Sequence, residues 1–310
     1  MNNTRKKRNG FLIFSTETLQ KRAEYGMITA YFMFVPGKGE RPMKICFHTH
    51  CFPDALAPRA IAALTANAAP VGMKPHTDGT AKGAVRCLRA AGIGAALVCN
   101  VATNARQERK VNDFAIATAV AHGPLFAAGS IHPDSEDAEG ELDRLSAAGI
   151  RGIKIHPDYV GVDITDPRYD RIFSLAEERG FFVVSHTGFD PVSPDRFHAT
   201  AQDLLAVIRR HPRLTLVAAH MGGPRQSADV LRLLVGTPIF FDTSLCAIRP
   251  EERGDLLAIL REHPDDRILF GTDTPWSFPR EEVRFVEEAG LSPHAVENIF
   301  YGNAAKMLQL

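Results

Sequence analysis

Features that cross-link or anchor a protein are scarce in this sequence. The 310 residues include five cysteines, an odd number, and no two of them form a CxxC pair. Disulfide frameworks need paired cysteines in an oxidising compartment, so we predict reduced thiols in a cytoplasmic protein. The apolar stretches are far shorter than the roughly 20 residues that cross a bilayer. We therefore expect no membrane partner.

Neither sign of charge is in excess. The 36 Lys and Arg residues balance the 36 Asp and Glu residues, and the isoelectric point is about 7.2. A surface that binds nucleic acid or an anionic membrane usually brings a basic excess. The balance therefore counts against both partners and leaves a small-molecule substrate as the expected one.

The first 42 residues differ from the rest of the chain. A basic segment, TRKKR, is followed by the apolar FLIF, which polar residues interrupt at once. This apolar segment is too short for a signal peptide. We interpret 1–42 as an extension that is either disordered or an artefact of an upstream start, because Met43 opens the first regular element. We expect one domain over 43–310.

From Met43 onward, short apolar segments alternate with amphipathic ones. Continuous apolar runs bounded by Gly, Pro or polar residues are typical of parallel strands that are covered on both faces. Eight such strands with helices between them predict an α/β fold, a closed (β/α)8 TIM barrel, which typically needs about 250 residues. The predicted strands are 44–50, 95–101, 125–131, 152–156, 181–186, 214–220, 239–244 and 268–273.

An open, doubly wound sheet is the alternative architecture. It would usually have a glycine-rich phosphate loop after its first strand. Here the first strand ends in HTHCFPD instead, which favours the barrel. The wide interval between the first two strands predicts a long active-site loop followed by a helix over 81–92.

Histidines cluster at the predicted carboxyl ends of the strands, the rim where barrel active sites lie. Six of the twelve histidines fall there. His48 and His50 are two residues apart in one strand, so both side chains point the same way. The residues that end strands are His48, His50, His132, Lys154, His156, His186, His220, Asp242 and Asp273.

An HxH pair alone is weak evidence for a metal site, because two rim histidines that pack against the wall would look the same. SHTG, AHMGG and GTDTPW at later strand ends strengthen the metal interpretation. Three histidines and an aspartate with one open position suit Zn²⁺ or another divalent ion.

Seven motifs, in order, resemble the amidohydrolase superfamily. They are HTH, GIKIHP, VVSHTG, LVAAHMGG, FFDTS, ILFGTDTPW and the closing ENIFYGNAAKML. The strongest resemblance is to the amidohydrolase-related branch that includes aminocarboxymuconate-semialdehyde decarboxylase, and it spans 43–310. Barrels of this branch often form dimers, so the resemblance admits a homodimer, although the sequence shows no interface.

The resemblance also implies roles for individual residues. It implies one divalent ion, Zn²⁺ in first place and Mn²⁺ or another divalent ion as the alternative, held by His48, His50, His186 and Asp273. His220 would contact the metal-bound water. Asp273 would also accept that water's proton.

Four further rim residues are candidates for substrate binding: Lys154, His156, Trp276 and Arg249. In some relatives a lysine on the fourth strand is carbamylated and bridges two metal ions. The mononuclear branch instead implies an unmodified Lys154 that pairs with a carboxylate of the protein or the substrate. Arg249 could hold a substrate carboxylate through two hydrogen bonds. Asp242 is interpreted as a wall residue that orients a neighbour.

The predicted function is metal-dependent hydrolysis of a C–N or C–O bond in a small amide or lactone, with a metal-activated water. The alternative is a non-oxidative decarboxylase of an unsaturated or aromatic acid, which a carboxylate-clamping arginine would favour. A TatD-like deoxyribonuclease also begins with HxH, but it would need an acidic ligand where Lys154 stands. A barrel with a purely structural metal is the non-enzymatic alternative.

Overall fold

All eight predicted strands form in the computed structural model, which describes residues 43–121 and 123–310. The expectation for 1–42 lies outside the described residues. The strands are β1 Lys44–Thr49, β2 Ile93–Cys99, β3 Leu125–Ala128, β4 Gly152–Ile155, β5 Phe182–Ser185, β6 Thr215–Ala218, β7 Phe240–Asp242 and β8 Ile268–Leu269. The predicted TIM barrel is therefore confirmed.

The strands pair in sequence order and in parallel. One sheet has the order β1-β2-β3 and the other β4-β5-β6-β7-β8. A bridge between Gly129 and Ile153 links the end of β3 to β4. Each strand therefore lies beside its neighbours in sequence, as the alternation of strands and helices predicts.

The barrel closes where the first strand meets the segment after the last. Thr49 pairs with Thr274 across this seam. The amide of His50 donates to the carbonyl of Thr274 at 2.6 Å, and the amide of Asp273 donates to the carbonyl of His48 at 2.9 Å. The seam thus brings together residues that are more than 220 positions apart in sequence.

Helices cover the outside of the barrel, and several begin with the signals expected from sequence. Thr200 caps one helix with a reciprocal capping box to Asp203, and Gly180 ends another in the left-handed conformation. The helices are α1 Ala57–Ala68, α2 Ala81–Ala90, α3 Glu108–Ala121, α4 Ala138–Ala147, α5 Pro157–Val160, α6 Pro167–Arg179, α7 Ala201–Arg210, α8 Ser227–Leu233, α9 Arg253–Glu262, α10 Pro279–Glu287, α11 Pro293–Glu297 and α12 Asn303–Met307. Among the described residues, no helix has the length and apolar character that a membrane crossing requires.

The loop predicted after β1 contains an additional helix, α1. Pro58 stands in its first turn, and the segment is rich in alanine, the strongest helix former. Only two of its residues, Ala57 and Ala68, are buried. The weak apolar stripe explains why the sequence pattern did not reveal this helix. The expected helix after it forms as α2.

The strand that carries the HTH segment departs from simple alternation. Ile45 and Phe47 pack in the inner layer of the core, and Cys46 packs in the outer layer. Strict alternation from Cys46 would point His48 outward. The pairing of β1 shifts register between Cys46 and Thr49, and this irregularity turns His48 toward the rim.

Candidate metal site at the barrel rim

Three of the predicted ligands converge at the seam of the barrel. His48 Nε2 lies 3.2 Å from His50 Nε2, and Asp273 Oδ1 lies 3.3 Å from the first atom and 3.0 Å from the second. Two ligand atoms about 2.0–2.1 Å from one ion lie roughly 2.9–3.4 Å apart at bond angles of about 90–110°. These three residues, here called the trio, therefore have the spacing of ligands around a single ion.

Hydrogen bonds place the ring protons of the trio away from its centre. His48 Nδ1 lies 2.8 Å from Asp242 Oδ2, and His50 Nδ1 lies 2.8 Å from the carbonyl oxygen of Cys99. Both partners accept, so both rings carry hydrogen on Nδ1 and present a lone pair at Nε2. Two lone pairs and the carboxylate of Asp273 then face one another, which a bound cation would stabilise.

The protonation state of His48 fits this role. The ring is fully buried, and burial together with the nearby charge of Lys154 lowers its pKa, against the opposing effect of Asp242. A neutral imidazole is the form that binds a metal ion. The donor set of the trio therefore fits a divalent cation.

Unusual backbone conformations occur at two of the predicted site residues. Asp273 has φ of 57° and His220 has φ of 58°, in the left-handed region that side chains other than glycine rarely adopt. Strained residues of this kind are concentrated at functional sites. The conformation of Asp273 follows directly on the seam and turns its carboxylate toward the two histidines.

Lys154 lies at the edge of the trio. Its side chain is buried, and Nζ is 3.4 Å from His48 Nε2. Within residues 43–121 and 123–310, no carboxylate oxygen lies within 4.0 Å of Nζ, so the predicted pairing with a protein carboxylate does not form. Burial lowers the pKa of Lys154, although Asp242 and Asp273 oppose that effect at longer range.

His186 lies beside the trio without joining it. His186 Nδ1 is 3.2 Å from His220 Nε2, and the ring of His220 stacks on that of His48 with centroids 5.0 Å apart. Three groups of ligand atoms within 4.8 Å of one another occur in the described part of the chain: the trio; His156, His186 and Asp190; and His48, His220 and Asp242. His186 is therefore grouped with His156 and Asp190 and not with the trio. The assignment of His186 as a fourth ligand stays a prediction.

A second group, here called the stacked cluster, consists of His156, His186 and Asp190. Asp190 Oδ2 is 3.6 Å from the Nε2 atom of each histidine. The two rings are parallel within 7°, with centroids 4.1 Å apart. A lone pair lies in the plane of its ring, and an ion shared by these rings would lie about 2 Å outside both planes. The stacked cluster is therefore poorly built to hold a metal ion.

The stacking also explains how His156 is held. Its ring lies 3.8 Å from that of Tyr159, and its Nδ1 accepts the amide hydrogen of Tyr159 at the start of α5. Nδ1 therefore has no hydrogen, and Nε2–H points toward Asp190. The structure thus brings His156 to the rim with Nδ1 occupied and Nε2 facing Asp190, and its role in substrate binding stays a prediction.

Two buried aspartates near His186 were not predicted from the sequence. Burial raises the pKa of Asp190 to about 6 and also raises the pKa of Asp158. Asp158 Oδ2 lies 3.9 Å from His186 Nε2, and neither atom has a hydrogen-bond partner among the described residues. The available signal was position, since both aspartates come a few residues after strand ends that carry a histidine.

Arg249 differs from the predicted substrate clamp. Its Nη1 donates to the carbonyl of His220 at 2.7 Å, its Nη2 to the carbonyl of Gly223 at 3.0 Å, and its Nε to Glu252 at 2.8 Å. Both edges of the planar guanidinium are used inside the protein. Arg249 therefore stabilises the turn after β6: it binds the carbonyl of Gly223 and adds a second donor to the carbonyl of His220, which also accepts the amide of Gly223.

Trp276 lies in the segment after β8, close to Asp273 in sequence and space. Its amide donates to the carbonyl of Asp273 at 2.7 Å, and the residue is half-buried. This position agrees with a ring near the rim. A role in lining the substrate pocket stays a prediction.

Glycines allow the turns after β5 and β6 to touch. Gly188 and Gly223 have φ of 74° and 110°, and a Cβ added to Gly223 would lie 2.5 Å from the amide nitrogen of Gly188. Only glycine fits so close a backbone approach. The contact fixes the turns that carry His186 and His220, which explains the glycines of HTG and HMGG.

Known structures with the same fold were found by comparison. An uncharacterised TIM-barrel protein from Bordetella bronchiseptica is 20% identical, with a TM-score of 0.70 over 86% of this chain and 98% of its own. A 2,6-dihydroxybenzoate decarboxylase is 16% identical, with a TM-score of 0.64 over 86% and 99%. The manganese-bound 5-carboxyvanillate decarboxylase of Novosphingobium aromaticivorans is 16% identical, with a TM-score of 0.63 over 88% and 98%. No curated protein matches the chain.

A family model carries the comparison beyond the fold. The amidohydrolase model matches residues 47–310, which include every member of the trio and of the stacked cluster. This match confirms the resemblance that the seven sequence motifs indicated. The chain belongs to the amidohydrolase family.

Proposed function

We propose that this protein is a metal-dependent decarboxylase of an aromatic or unsaturated carboxylic acid. Two of the structural neighbours described above are decarboxylases of aromatic acids, and one of them was solved with manganese. They support the decarboxylase alternative better than the hydrolysis predicted first from the sequence. Because their identity to this chain is low, the proposal needs support from the site itself.

The observation that carries the proposal is the buried amino group of Lys154, which has no carboxylate partner among the described residues. A buried charge without a partner is costly, and an enzyme retains one where a ligand supplies the opposite charge. Nζ already lies 3.4 Å from His48 Nε2, so a carboxylate bound to Lys154 would lie beside the trio. An amide or a lactone has no negative charge to offer at this position.

The charges around the trio agree with an anionic substrate. Asp242 and Asp273 are the carboxylates that contact the histidines of the trio. A divalent ion and Lys154 together would exceed these two negative charges by one. The resulting positive charge would attract a substrate carboxylate and hold it against the rim.

His48, His50 and Asp273 would hold the ion, with His186 as the predicted fourth ligand. When bound, a divalent ion acts as a Lewis acid that polarises oxygen atoms and lowers the pKa of bound water. Lys154 would orient the substrate by pairing with its carboxylate. His156 would present Nε2–H to polar substituents on the stacked side of the site.

Asp273 is the residue best placed to move a proton. Its Oδ1 faces the two histidines, and its Oδ2 accepts no hydrogen bond from the described residues. Loss of CO₂ breaks the bond between the carboxylate and the substrate carbon and leaves the electron pair on that carbon. A proton held on Asp273 can be given to the carbon, which completes the replacement of CO₂ by hydrogen.

The proposal is tested by supplying the purified chain with Zn²⁺ or Mn²⁺ and two substrate panels. The first panel contains hydroxybenzoates and unsaturated acids, with released CO₂ as the readout. The second contains lactones and amides, with ring opening or amine release as the readout. CO₂ release is the expected result; turnover confined to the second panel would replace the proposal with hydrolysis.

Lys154→Met separates carboxylate binding from metal binding. We expect KM for the carboxylate to rise about 30-fold or more, since an ion pair with a buried charge is worth roughly 2–5 kcal/mol. Metal content should stay near one equivalent, and stability should be equal or higher, because the variant removes an unpaired buried charge. Loss of the metal would instead indicate a carbamylated, bridging lysine.

Lys44→Met is the matched control for this change. Lys44 is a lysine at the opposite end of β1 that pairs with Glu287 at 3.5 Å. The substitution removes the same charge from the protein outside the rim. KM and metal content should both equal those of the unmodified protein.

A further inference from the structure

Asp242 has an exceptional concentration of hydrogen bonds for one side chain. It is fully buried at the end of β7. Oδ1 accepts the amides of His220 and Ser244, each at 3.1 Å, and the hydroxyl of Ser244. Oδ2 lies 2.8 Å from His48 Nδ1. Four donors therefore surround this one side chain, which is the environment of a carboxylate that accepts at both oxygens.

The first arm of this network reaches the trio directly. Because the ionised carboxylate of Asp242 can only accept, the hydrogen of His48 must lie on Nδ1. Nε2 is then the lone pair that faces His50 and Asp273. A metal ligand needs this orientation of its tautomer, and partners of this kind typically change metal affinity or activity by about 10–100-fold when removed.

The second arm runs through Ser244. The hydroxyl of Ser244 donates to Asp242, so its oxygen accepts the hydrogen of His220 Nδ1 at 2.8 Å. His220 Nε2 must then be a lone pair, and it accepts the hydrogen of His186 Nδ1 at 3.2 Å. The last nitrogen of the arm, His186 Nε2, is left as a lone pair as well.

The unpartnered state of His186 Nε2 supports the same assignment. The atom is buried and has no hydrogen-bond partner among the described residues; the carboxylates of Asp158 and Asp190 lie 3.9 and 3.6 Å from it. His156 Nε2, which carries hydrogen, lies at the same 3.6 Å from Asp190 Oδ2, so the lone pair on His186 Nε2 follows from the chain of hydrogen bonds and not from that distance. The network therefore leaves Nε2 of His186 as the atom available to a cation.

We propose that Asp242 is a positioning residue that sets the tautomers of His48 and, through Ser244, of His220 and His186. Its carboxylate contacts His48 at Nδ1, the ring nitrogen opposite the Nε2 that faces His50 and Asp273. Asp242 thereby leaves a lone pair on Nε2 of His48 and, through the second arm, on Nε2 of His186. The proposal rests on the metal site of the proposed function, but its test needs no substrate and is independent of the reaction.

The first measurement is the ¹⁵N NMR spectrum of the full chain labelled at histidine, with and without Zn²⁺. Imidazole nitrogens that carry hydrogen differ strongly in shift from those that do not, so the spectrum reports each tautomer. The signals of His48 and His220 are assigned with His48→Gln and His220→Gln. Both rings should carry hydrogen on Nδ1; hydrogen on Nε2 of His48 in the metal-free protein would overturn the proposal without any variant.

Asp242→Asn should reverse the tautomer of His48. Three donors surround Oδ1, so they retain the amide oxygen, and the amide NH₂ must face His48 Nδ1. That nitrogen becomes an acceptor, and hydrogen moves to Nε2. We expect the dissociation constant for Zn²⁺ to rise about 10–100-fold. An unchanged His48 spectrum with affinity within about threefold would contradict the proposal.

Ser244→Ala should act mainly on the second arm, because Ser244 Oγ lies 2.8 Å from His220 Nδ1 and only 3.3 Å from His48 Nδ1, which keeps its shorter 2.8 Å contact with Asp242. Asp242 retains its direct bond to His48 and two backbone donors, so the His48 spectrum and the affinity of the trio should change little. The His220 signal should change, because Nδ1 loses its acceptor. Equal effects of the two variants on His48 would show that the arms are not separate and would overturn the second half of the proposal.

Glu141→Gln is the matched control for loss of a buried carboxylate. Glu141 on α4 accepts hydrogen bonds from Asn112 and Arg144, on the outside of the barrel. It should lose stability, as Asp242→Asn does, while the histidine spectrum and the Zn²⁺ dissociation constant stay unchanged. If this control also reversed the His48 tautomer, the effect of Asp242 would be general destabilisation.

Discussion

The trio and the stacked cluster contain the same residue types, two histidines and one aspartate, and have different capacities. In the trio the ring planes of His48 and His50 differ by 66°, and both lone pairs meet one carboxylate oxygen. In the stacked cluster the planes of His156 and His186 differ by 7°. Ring orientation therefore distinguishes the trio, which can share one metal ion, from the stacked cluster, whose ligand atoms are near one another but do not point at a common position.

The difference arises from how each ring is anchored. In the trio, each Nδ1 is held by an acceptor, the Asp242 carboxylate or the Cys99 carbonyl. In the stacked cluster, His156 Nδ1 accepts the amide of Tyr159. In each histidine, the hydrogen-bond partner of Nδ1 therefore decides whether Nε2, the nitrogen at the rim, carries hydrogen or a lone pair. Only in the trio do both rings present a lone pair.

The largest effect should come from exchanging one carboxylate for an amide in each group. Asp273→Asn removes the proposed proton carrier and a charged ligand, so turnover should fall about 100–10,000-fold, the range of general acid–base catalysis. Asp190→Asn should retain metal and much of the activity. Rate constants and metal content of the two variants, measured side by side, test the comparison; equal losses would break it.

A smaller effect is expected from exchanging one histidine in each group. His50→Gln should weaken Zn²⁺ binding at least about 10–100-fold, since direct ligands matter no less than the residues that orient them. His156→Gln should change the dissociation constant by less than about threefold. Titration against a competing chelator measures both; strong loss of metal in His156→Gln would restore the stacked cluster as an ion site.

The pH dependence of stability should differ between the two groups. The pKa of Asp190 is raised to about 6, from 3.8 in the unfolded chain, so the folded protein binds more protons between these values. The free energy of unfolding of the metal-free protein should therefore fall as pH rises from about 4 to 6, by at most roughly 3 kcal/mol at 1.4 kcal/mol per pKa unit.

Asp190→Asn should remove this slope. Asp242 has the opposite sign, because its pKa is lowered to about 2, and its contribution is present above pH 4 and lost as pH falls toward 2. Urea denaturation at several pH values measures both slopes. A slope between pH 4 and 6 that survives Asp190→Asn belongs to another group.

The smallest effect tests whether His186 binds the metal ion together with the trio or belongs to the stacked cluster alone. If its free Nε2 serves the trio as the fourth ligand, His186→Ala should weaken Zn²⁺ binding about 10-fold. His198→Ala is a control at a buried histidine that pairs with Asp163. An unchanged dissociation constant in His186→Ala would leave His186 in the stacked cluster alone.

The sequence predicts the barrel well because each strand is a local signal. Short apolar runs between turn residues recur eight times, and the (β/α)8 order follows from their alternation with helices. HxH near the start and Asp273 near the end were identified because both lie at strand ends. Their meeting depends on barrel closure, which the fold supplies.

Other parts of the site depend on contacts that no local pattern contains. The environment of Asp242 is made by His48 from another strand and Ser244 from the following turn. The use of Arg249 inside the protein depends on two carbonyls, of His220 and Gly223, that the turn after β6 directs toward its guanidinium. Such contacts depend on the path of the backbone. Residue type alone therefore predicted that Arg249 binds a substrate carboxylate, whereas in the structure it binds backbone carbonyls.

The seam between Thr49 and Thr274 has a consequence for the order in which the molecule is completed. His48 lies on the first strand, His50 directly follows it, and Asp273 follows the last strand, so a chain synthesised only through its seventh strand has both histidines and no place for an ion. Uptake of the cation must wait until the ring is shut. A bound cation would then stabilise the closed barrel, because its ligands lie on both sides of the seam between the first strand and the segment after the last.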